Sequence, residues 1–479
     1  MIDNVLDQRI AAWVEENRQW ILDNWMALAR IPSVQGEAAE DAPYGVECAR
    51  ALAAAAKLFE DGGFDTRLEK SRGYALAQFG EGEKCIGIFG HSDVVPAGDG
   101  WAFTQPFEPI IQNGTLIGRG VCDNKNGVMA SLCILRMAKE LGLPLKSRLL
   151  AFVGSNEESG MGDIEAFVAN EAMPDLSLVP DTAFPCALGE KGILRMWAKC
   201  GTKLTAVKDV RGGNAFNIVL DQVEAVLEAD DALLQELQEK CAESDAYRLE
   251  TKADGIHLTA YGVAKHAASP DGSVNAAFLL AKLLSGCEKL PATDRMTFAT
   301  VAAYLESYYG EGMGVAHNDS FCGKTTTVCG MVAVEDGHLK VSVDCRYGTE
   351  VEPAALERRF HTCWEEAGWS IVYLENRAGY RTAADSPVPG LLTGIVEELG
   401  GKERTCYFMP GGTYGRYLKN AFPTGTRSIA THREGPAMVM PAGSGGAHQR
   451  DECVDIEGFF LGLRILTHAV LACDKLINE

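Results

Sequence analysis

Three short apolar runs, each ending on ionisable residues, constrain this chain more than any other feature. Cys85 to Phe89 leads into Gly90, His91, Ser92 and Asp93; Leu149 to Val153 leads to Asn156, Glu157 and Glu158; Leu176 to Val179 leads through Pro180 to Asp181. Runs of this length bounded by Gly, Pro or polar clusters read as buried strands. A fourth, shorter run at Leu116 and Ile117 leads through Gly118 to Cys122, Asp123 and Asn124. A helix follows it with Val128, Leu132 and Leu135 on one face, and another begins near Asp163. Strands alternating with helices imply βαβ units and a largely parallel sheet with right-handed crossovers. Polar groups at the carboxyl ends of such strands stand where doubly wound sheets bind ligands.

That rhythm covers only part of the 479 residues, which are too many for one core. Ahead of it, Ile10 to Ala29 has the spacing of one amphipathic helix and Val46 to Phe59 that of another, stopped at Gly62 and Gly63. From about Pro185 the pattern turns to longer helices and hairpin strands. Helices are predicted over Phe216 to Glu228, Ala232 to Cys241, Asn275 to Leu284 and Ala354 to Glu366. Strands are predicted over His257 to Gly262, Leu339 to Asp344 and Ile371 to Leu374. A shift in composition near Ala384 to Pro389 returns the chain to its first domain, which closes with an apolar helix from Ile456 to Ile477. The expected fold class is therefore α/β. Residues 1–184 and 386–479 form a mixed, mainly parallel-sheet domain with helices on both faces. Residues 185–385 form an inserted α+β lid domain of two subdomains.

Hydrophobic content of 47% and charged content of 23% are those of a folded globular chain. A net charge of −22 repels phosphate backbones and anionic lipid heads, so neither nucleic acid nor a membrane surface is an expected partner. No apolar run is expected to reach the roughly 18 residues of a membrane span, and the N-terminus lacks the basic and apolar regions of an export signal. The 15 cysteines are scattered without a C-x-x-C pair, which fits reduced thiols in a cytoplasmic protein better than a disulfide framework or a four-thiolate metal site.

The ionisable residues at the strand ends suggest a hydrolytic centre. His and carboxylate donors with nothing softer beside them suit a divalent metal, zinc first, with manganese or cobalt as the other candidates. His91, Asp123, Glu158, Asp181 and the distant His448, in Gly443-Ser-Gly-Gly-Ala-His-Gln-Arg-Asp-Glu452, supply five side chains. Two metals with one bridging carboxylate need that number. Glu157 and Glu158, adjacent in what reads as extended backbone, would point to opposite sides. One could then bind metal while the other moves a proton as general base and acid. Asp93 is placed to accept a hydrogen bond from the far ring nitrogen of His91. Taken singly, the same residues also fit blander roles: helix caps for Asp123 and Asp181, a solvated turn for the Glu pair, a structural histidine for His91.

The segments Gly90-His-Ser-Asp-Val-Val-Pro96, Gly118-Arg-Gly-Val-Cys-Asp-Asn-Lys-Asn-Gly127, Asn156-Glu-Glu-Ser-Gly160 and Ala447-His448 together resemble the motifs of the di-zinc aminoacylase and glutamate-carboxypeptidase family. Met409-Pro-Gly-Gly-Thr-Tyr414, the long lid and Asp-Asn-Lys-Asn are most similar to its PepV-type, Xaa-His dipeptidase branch. The resemblance implies that His91 and Asp181 hold one metal, Glu158 and His448 the other, and Asp123 both. Glu157 would be the general base, Asp93 the partner of His91, and Asp123-Asn124 a cis peptide. In the lid segment Tyr261-Gly-Val-Ala-Lys-His-Ala-Ala-Ser269, His266 would stabilise the tetrahedral oxyanion, although the segment departs from the common Lys-Ser-Ala-His-Gly-Ser form. Asn217 and Arg346 would hold the substrate's terminal carboxylate or backbone, and Thr413 lies in a loop suited to contacting substrate. Each has an alternative: a helix start for Asn217, a strand salt bridge for Arg346, a tight turn at Met409 to Thr413.

The implied activity is hydrolysis of dipeptides with a free C-terminus. The alternative is an N-acyl amino acid deacylase, of desuccinylase or deacetylase type, with the same centre. A non-catalytic binder on this fold is disfavoured by the retained Glu157. A lid about twice the length of that in dimeric relatives implies a monomer that supplies its own oxyanion-binding histidine.

Overall fold

The computed structural model describes residues 2–426, 438–441 and 443–479. They fall into two compact units. The first comprises Met1–Gly189, Thr382–Tyr407 and Thr413–Glu479, and the second Glu190–Arg381 with Phe408–Gly412. The insert thus runs 190–381 where the sequence suggested 185–385, and a short piece of the Met409 segment groups with it.

The first unit is built on six strands: β1 (Asp65–Glu69), β2 (Tyr74–Phe79), β3 (Cys85–His91), β4 (Arg148–Gly154), β5 (Leu176–Thr182) and β6 (Ala421–Gly425), in the order β1-β2-β4-β3-β5-β6. β2 alone runs antiparallel to its neighbours β1 and β4, while β4, β3, β5 and β6 run parallel. Every residue of β3 and β5 is buried, as expected of parallel strands covered on both faces. Alternation sorts their side chains. Ile86, Ile88, Leu149, Ala151, Leu176 and Leu178 join one core with the helices Val46–Asp61, Lys125–Glu140 and Ile456–Asn478. Cys85, Phe89, Leu150, Phe152 and Val179 turn the other way, with Ile164 and Phe167 of the helix Gly162–Asn170. Each fully buried Leu, Ile or Phe contributes about 1.5–3 kcal/mol, and Phe89 and Phe152 add stacking at a centroid distance of 5.1 Å.

The register positions the chemistry: His91 at the end of β3 lies beside Gly154 at the end of β4, so the loops after both strands open on the same edge, as does the end of β5. The Leu116–Ile117 run does not enter this sheet. It forms a three-stranded ribbon with Ile110–Gln112 and Cys453–Asp455, because its three residues are too few to cross the sheet.

The second unit is a nine-stranded sheet in which every recorded pairing is antiparallel, with Gly192–Cys200 between His338–Tyr347 and Trp369–Arg377. One sheet runs through the whole insert. The helices group into two sets on it, Asp231–Cys241 and Ala276–Ser285 over the strands near Gly255–Tyr261, and Pro353–Glu366 over Trp369–Arg377.

Three sequence expectations change. Phe216 to Glu228 is a loop followed by the strand Gln222–Leu227, with Val223, Ala225 and Leu227 buried and Gln222 and Glu224 exposed. Val219, Leu220, Val223 and Leu227 mimic helical spacing, and the period-two pattern wins once neighbouring strands are available. Ile10 to Ala29 is two helices, Asn4–Glu16 and Arg18–Ala29, broken at Asn17. The helix Ile456–Asn478 is long and apolar enough to cross a membrane by length and composition, contrary to expectation, but 72% of its most apolar window is buried inside the protein.

Candidate active site

Four ionisable residues of the centre sit at the carboxyl end of a sheet strand or in the loop after it. His91 closes β3, Asp181 lies at the end of β5, and Glu157 and Glu158 follow β4. The two glutamates lie in a turn, not in extended backbone. Their side chains still diverge. Glu157 Oε2 lies 3.9 Å from His91 Nε2, whereas Glu158 Oε2 lies 2.9 Å from His448 Nε2.

Asp123 stands between the two imidazoles, its Oδ1 3.4 Å from His91 Nε2 and its Oδ2 3.4 Å from His448 Nε2. Asp181 Oδ2 lies 3.7 Å from His91 Nε2, and its Oδ1 accepts a hydrogen bond from Asn124 Nδ2 at 2.8 Å. Two sets of donors lie within 4.8 Å of one another: His91 with Glu157 and Asp181, and His91 with Asp123 and Glu158. His448, reached at a left-handed φ of 63°, extends the second set through Asp123 and Glu158. The Asp123–Asn124 peptide is cis.

Asp93 lies beside the far ring nitrogen of His91 and makes a second set of contacts as well. His91 Nδ1 is 3.1 Å from the Asp93 carbonyl oxygen and 3.3 Å from Oδ1, while the carboxylate accepts from the backbone N–H groups of Glu157 (3.2 Å) and Glu158 (3.1 Å). It organises the glutamate turn as much as the histidine.

The electrostatics are those of crowded acids around two imidazoles. Burial raises the Glu157 carboxyl well above its ordinary value; Asp181 and Glu158 add to this and His91 opposes it. Glu158 is also raised by burial, against the pull of His448. Burial disfavours a charged His91, but the neighbouring carboxylates of Asp123, Asp181 and Asp93 outweigh it and hold the imidazole well above its usual pKa. Glu158, ahead of Asp123, pushes His448 up to about 11. His91 Nε2, Glu157 Oε1 and Glu158 Oε1 are buried without a hydrogen-bond partner. Such orphaned donor atoms are costly, and nitrogen and carboxylate oxygen are the ligand types that zinc and manganese take. The residues fit a pair of divalent cations.

The remaining candidates belong to other segments of the chain. In the second unit, Asn217 Nδ2 and His266 Nε2 are 3.4 Å apart. Arg346 pairs in the sheet with Thr326, whose hydroxyl donates to the carbonyl of Ala267, next to His266. The Arg346 guanidinium is engaged by Asp344 at 2.5 and 3.0 Å and donates to the Pro410 carbonyl oxygen at 3.4 Å. Thr413, in the first unit, is buried and its hydroxyl accepts from Gly415 N at 3.0 Å, capping a short turn.

Supporting residues escaped sequence reasoning. Glu452 Oε1 accepts from the N–H groups of Cys122 (2.7 Å) and Asp123 (3.0 Å), while its Oε2 meets buried Arg119 at 2.7 Å. Glu452 lies in the quoted His448 segment and Arg119 in the Asp123 segment, so pairing an unexplained acid with an unexplained base across motifs was the available signal. Asp163 and Tyr414 carried no comparable signal.

Residues 87–472 match the model of peptidase family M20/M25/M40. The chain belongs to that family. It is accordingly a peptide-bond hydrolase. The Bacillus subtilis (strain 168) protein named "Putative dipeptidase YtjP" is 27% identical over 460 residues, covering 93% of this chain and 95% of its own. The Staphylococcus saprophyticus protein named "Putative dipeptidase SSP1012" is 29% identical over 421 residues, 85% of this chain and 89% of its own. Among solved structures, the di-peptidase Dug1p from Saccharomyces cerevisiae superposes with a TM-score of 0.60 at 13% identity over 98% of both chains. Human carnosine dipeptidase 1 gives 0.58 at 13% identity over 98% of this chain and all of that one. At such identities the structures establish the shared fold alone.

Proposed function

We propose that this family member is a dinuclear metallodipeptidase in which His91, Asp181 and Asp123 hold one divalent cation and Asp123, Glu158 and His448 the other. The observation that carries the proposal is Asp123, with one oxygen turned to each imidazole at 3.4 Å. Relatives named as dipeptidases over nearly the full chain support the substrate class. Bound there, two divalent cations, zinc first with manganese or cobalt as alternatives, supply Lewis acidity to a carbonyl and make water acidic near neutral pH.

Glu157 is the general base. Its buried carboxyl, pushed upward in pKa, takes the proton from attacking water and returns it to the leaving amine. Asp93 fixes it by accepting the N–H groups of Glu157 and Glu158. His266 and Asn217 of the insert, adjacent to each other, are proposed as oxyanion and substrate donors. Arg346 and Thr413 are proposed substrate contacts whose polar groups already have partners within the fold. The enzyme is proposed to act on small peptides as a cytoplasmic monomer.

The test is Glu157→Ala, which should retain the fold and both cations while losing nearly all turnover. Activity within about tenfold of wild type would contradict the assignment, since a general base contributes roughly 100- to 10,000-fold.

A further inference from the structure

Four consecutive backbone N–H groups, from Ser155 to Glu158, end on two buried carboxylates. Asp163 Oδ2 accepts from Ser155 N at 2.6 Å and Asn156 N at 2.8 Å. Asp93 accepts from the next two, Glu157 N at 3.2 Å and Glu158 N at 3.1 Å. Asp93 adjoins His91 and belongs to the centre already described. Asp163 does not: it lies in the first turn of the helix Gly162–Asn170, is fully buried, and is held from the far side by Tyr414, whose hydroxyl donates to the same Oδ2 at 2.6 Å.

The surroundings leave this pair little room. Tyr414 is 1% exposed, with its ring edge-on to Phe152 at 5.3 Å and to His91 at 6.3 Å. A Cβ on Gly154, the last residue of β4, would lie 1.9 Å from the Tyr414 hydroxyl and 2.3 Å from Asp163 Oδ2. The strand must therefore end in glycine for the hydroxyl and carboxylate to reach the turn that follows. Burial and Asp93 push the Asp163 carboxyl up to about 6, and the Tyr414 hydrogen bond opposes them, favouring the ionised acceptor.

We infer that Tyr414 and Asp163 are positioning residues that set the geometry of the Glu157–Glu158 turn by anchoring its first two N–H groups. Neither touches substrate in this assignment. They act through the placement of Glu157, so the inference rests on Glu157 being the base. Errors of a fraction of an ångström in a general base are enough to slow turnover.

The experiment uses the full-length, metal-loaded enzyme with Tyr414→Phe, which deletes one oxygen and keeps the ring. On a free dipeptide, kcat should fall about tenfold, the lower end for loss of a supporting hydrogen bond in a metal site. KM should stay within about twofold, because ground-state binding is untouched. Metal content should match wild type and the variant should stay folded at the assay temperature, with kcat expressed per folded, metal-loaded molecule. Asp163→Asn should act in the same direction, and the double variant should be no worse than Asp163→Asn alone. In a Glu157→Ala background, Tyr414→Phe should cause no further loss. Wild-type kcat in Tyr414→Phe, or a loss explained by missing metal or missing fold, overturns the assignment even when Glu157→Ala is inactive. An active Glu157→Ala enzyme overturns the base assignment itself, and this one with it.

Discussion

Replacing Arg119 with Met breaks the buried ion pair that anchors the loop carrying Asp123, together with the guanidinium's hydrogen bonds to the Pro96 and Ala97 carbonyls. Arg119 and Glu452 are 1% and 0% exposed, and their Nη1 and Oε2 atoms are 2.7 Å apart. Burial already raises the Glu452 carboxyl, and Arg119 opposes the rise most, with backbone N–H groups of Cys122 and Gly120 adding to that opposition. Methionine keeps most of the stem packing and removes the charge. A buried carboxylate left without its cation costs about 3–5 kcal/mol. At about 2–4 °C per kcal/mol for a large domain, the calorimetric transition of the first unit should move down by on the order of 10 °C. Adding Glu452→Leu should recover only part of the loss, because the N–H groups of Cys122 and Asp123 then lack their acceptor, at about 1–3 kcal/mol each. A loss below about 1 kcal/mol in Arg119→Met, the range of a solvent-exposed pair, would refute the view that this pair holds the loop.

Two further outcomes follow from the same centre. In metal-stripped protein, the folded-state pKa of His448 is raised to about 11 by Glu158 and Asp123, above its unfolded value of about 6.5. Its contribution is then fully present below about pH 6.5 and lost as pH rises toward about 11; the raised Glu157 and Glu158 act in the same direction from lower pH. Chemical denaturation of stripped protein should show lower stability at about pH 9 than at about pH 6, and equal or greater stability at the higher pH contradicts it. His448→Ala should bind one equivalent of zinc in place of two by elemental analysis after dialysis, since in the proposed centre His448 and Glu158 hold the second cation beside the shared Asp123.

What was legible in the sequence depended on local pattern. Strand ends are written as apolar runs followed by polar residues, and this located His91, Glu157, Glu158 and Asp181 at one edge of the sheet. The order of motifs, through the family resemblance, supplied the bridging role of Asp123 and the pairing of the distant His448 with Glu158. Side-chain direction was less secure: the glutamates diverge, but from a turn fixed by Asp93 and Asp163, not from an extended strand. The partners that hold the site were silent because each contact spans hundreds of residues. Glu452 meets Cys122 across a separation of 330, and Tyr414 meets Asp163 across 251. Nothing local distinguishes such residues from ordinary surface acids or core aromatics. In the insert, Val223 and Leu227 satisfy helical and strand periodicities together, and only the strands paired on either side decide between them.

The central claim is tested most directly by stripping the protein of metal, adding zinc or manganese back in measured equivalents, and assaying a free dipeptide beside the matching N-acetyl amino acid. Dipeptide hydrolysis should be absent from the stripped protein and return in full only as the second equivalent binds, with the acetylated analogue cleaved far more slowly. Dipeptide turnover without metal, full activity at one equivalent, or preference for the acetylated analogue would contradict a dinuclear dipeptidase.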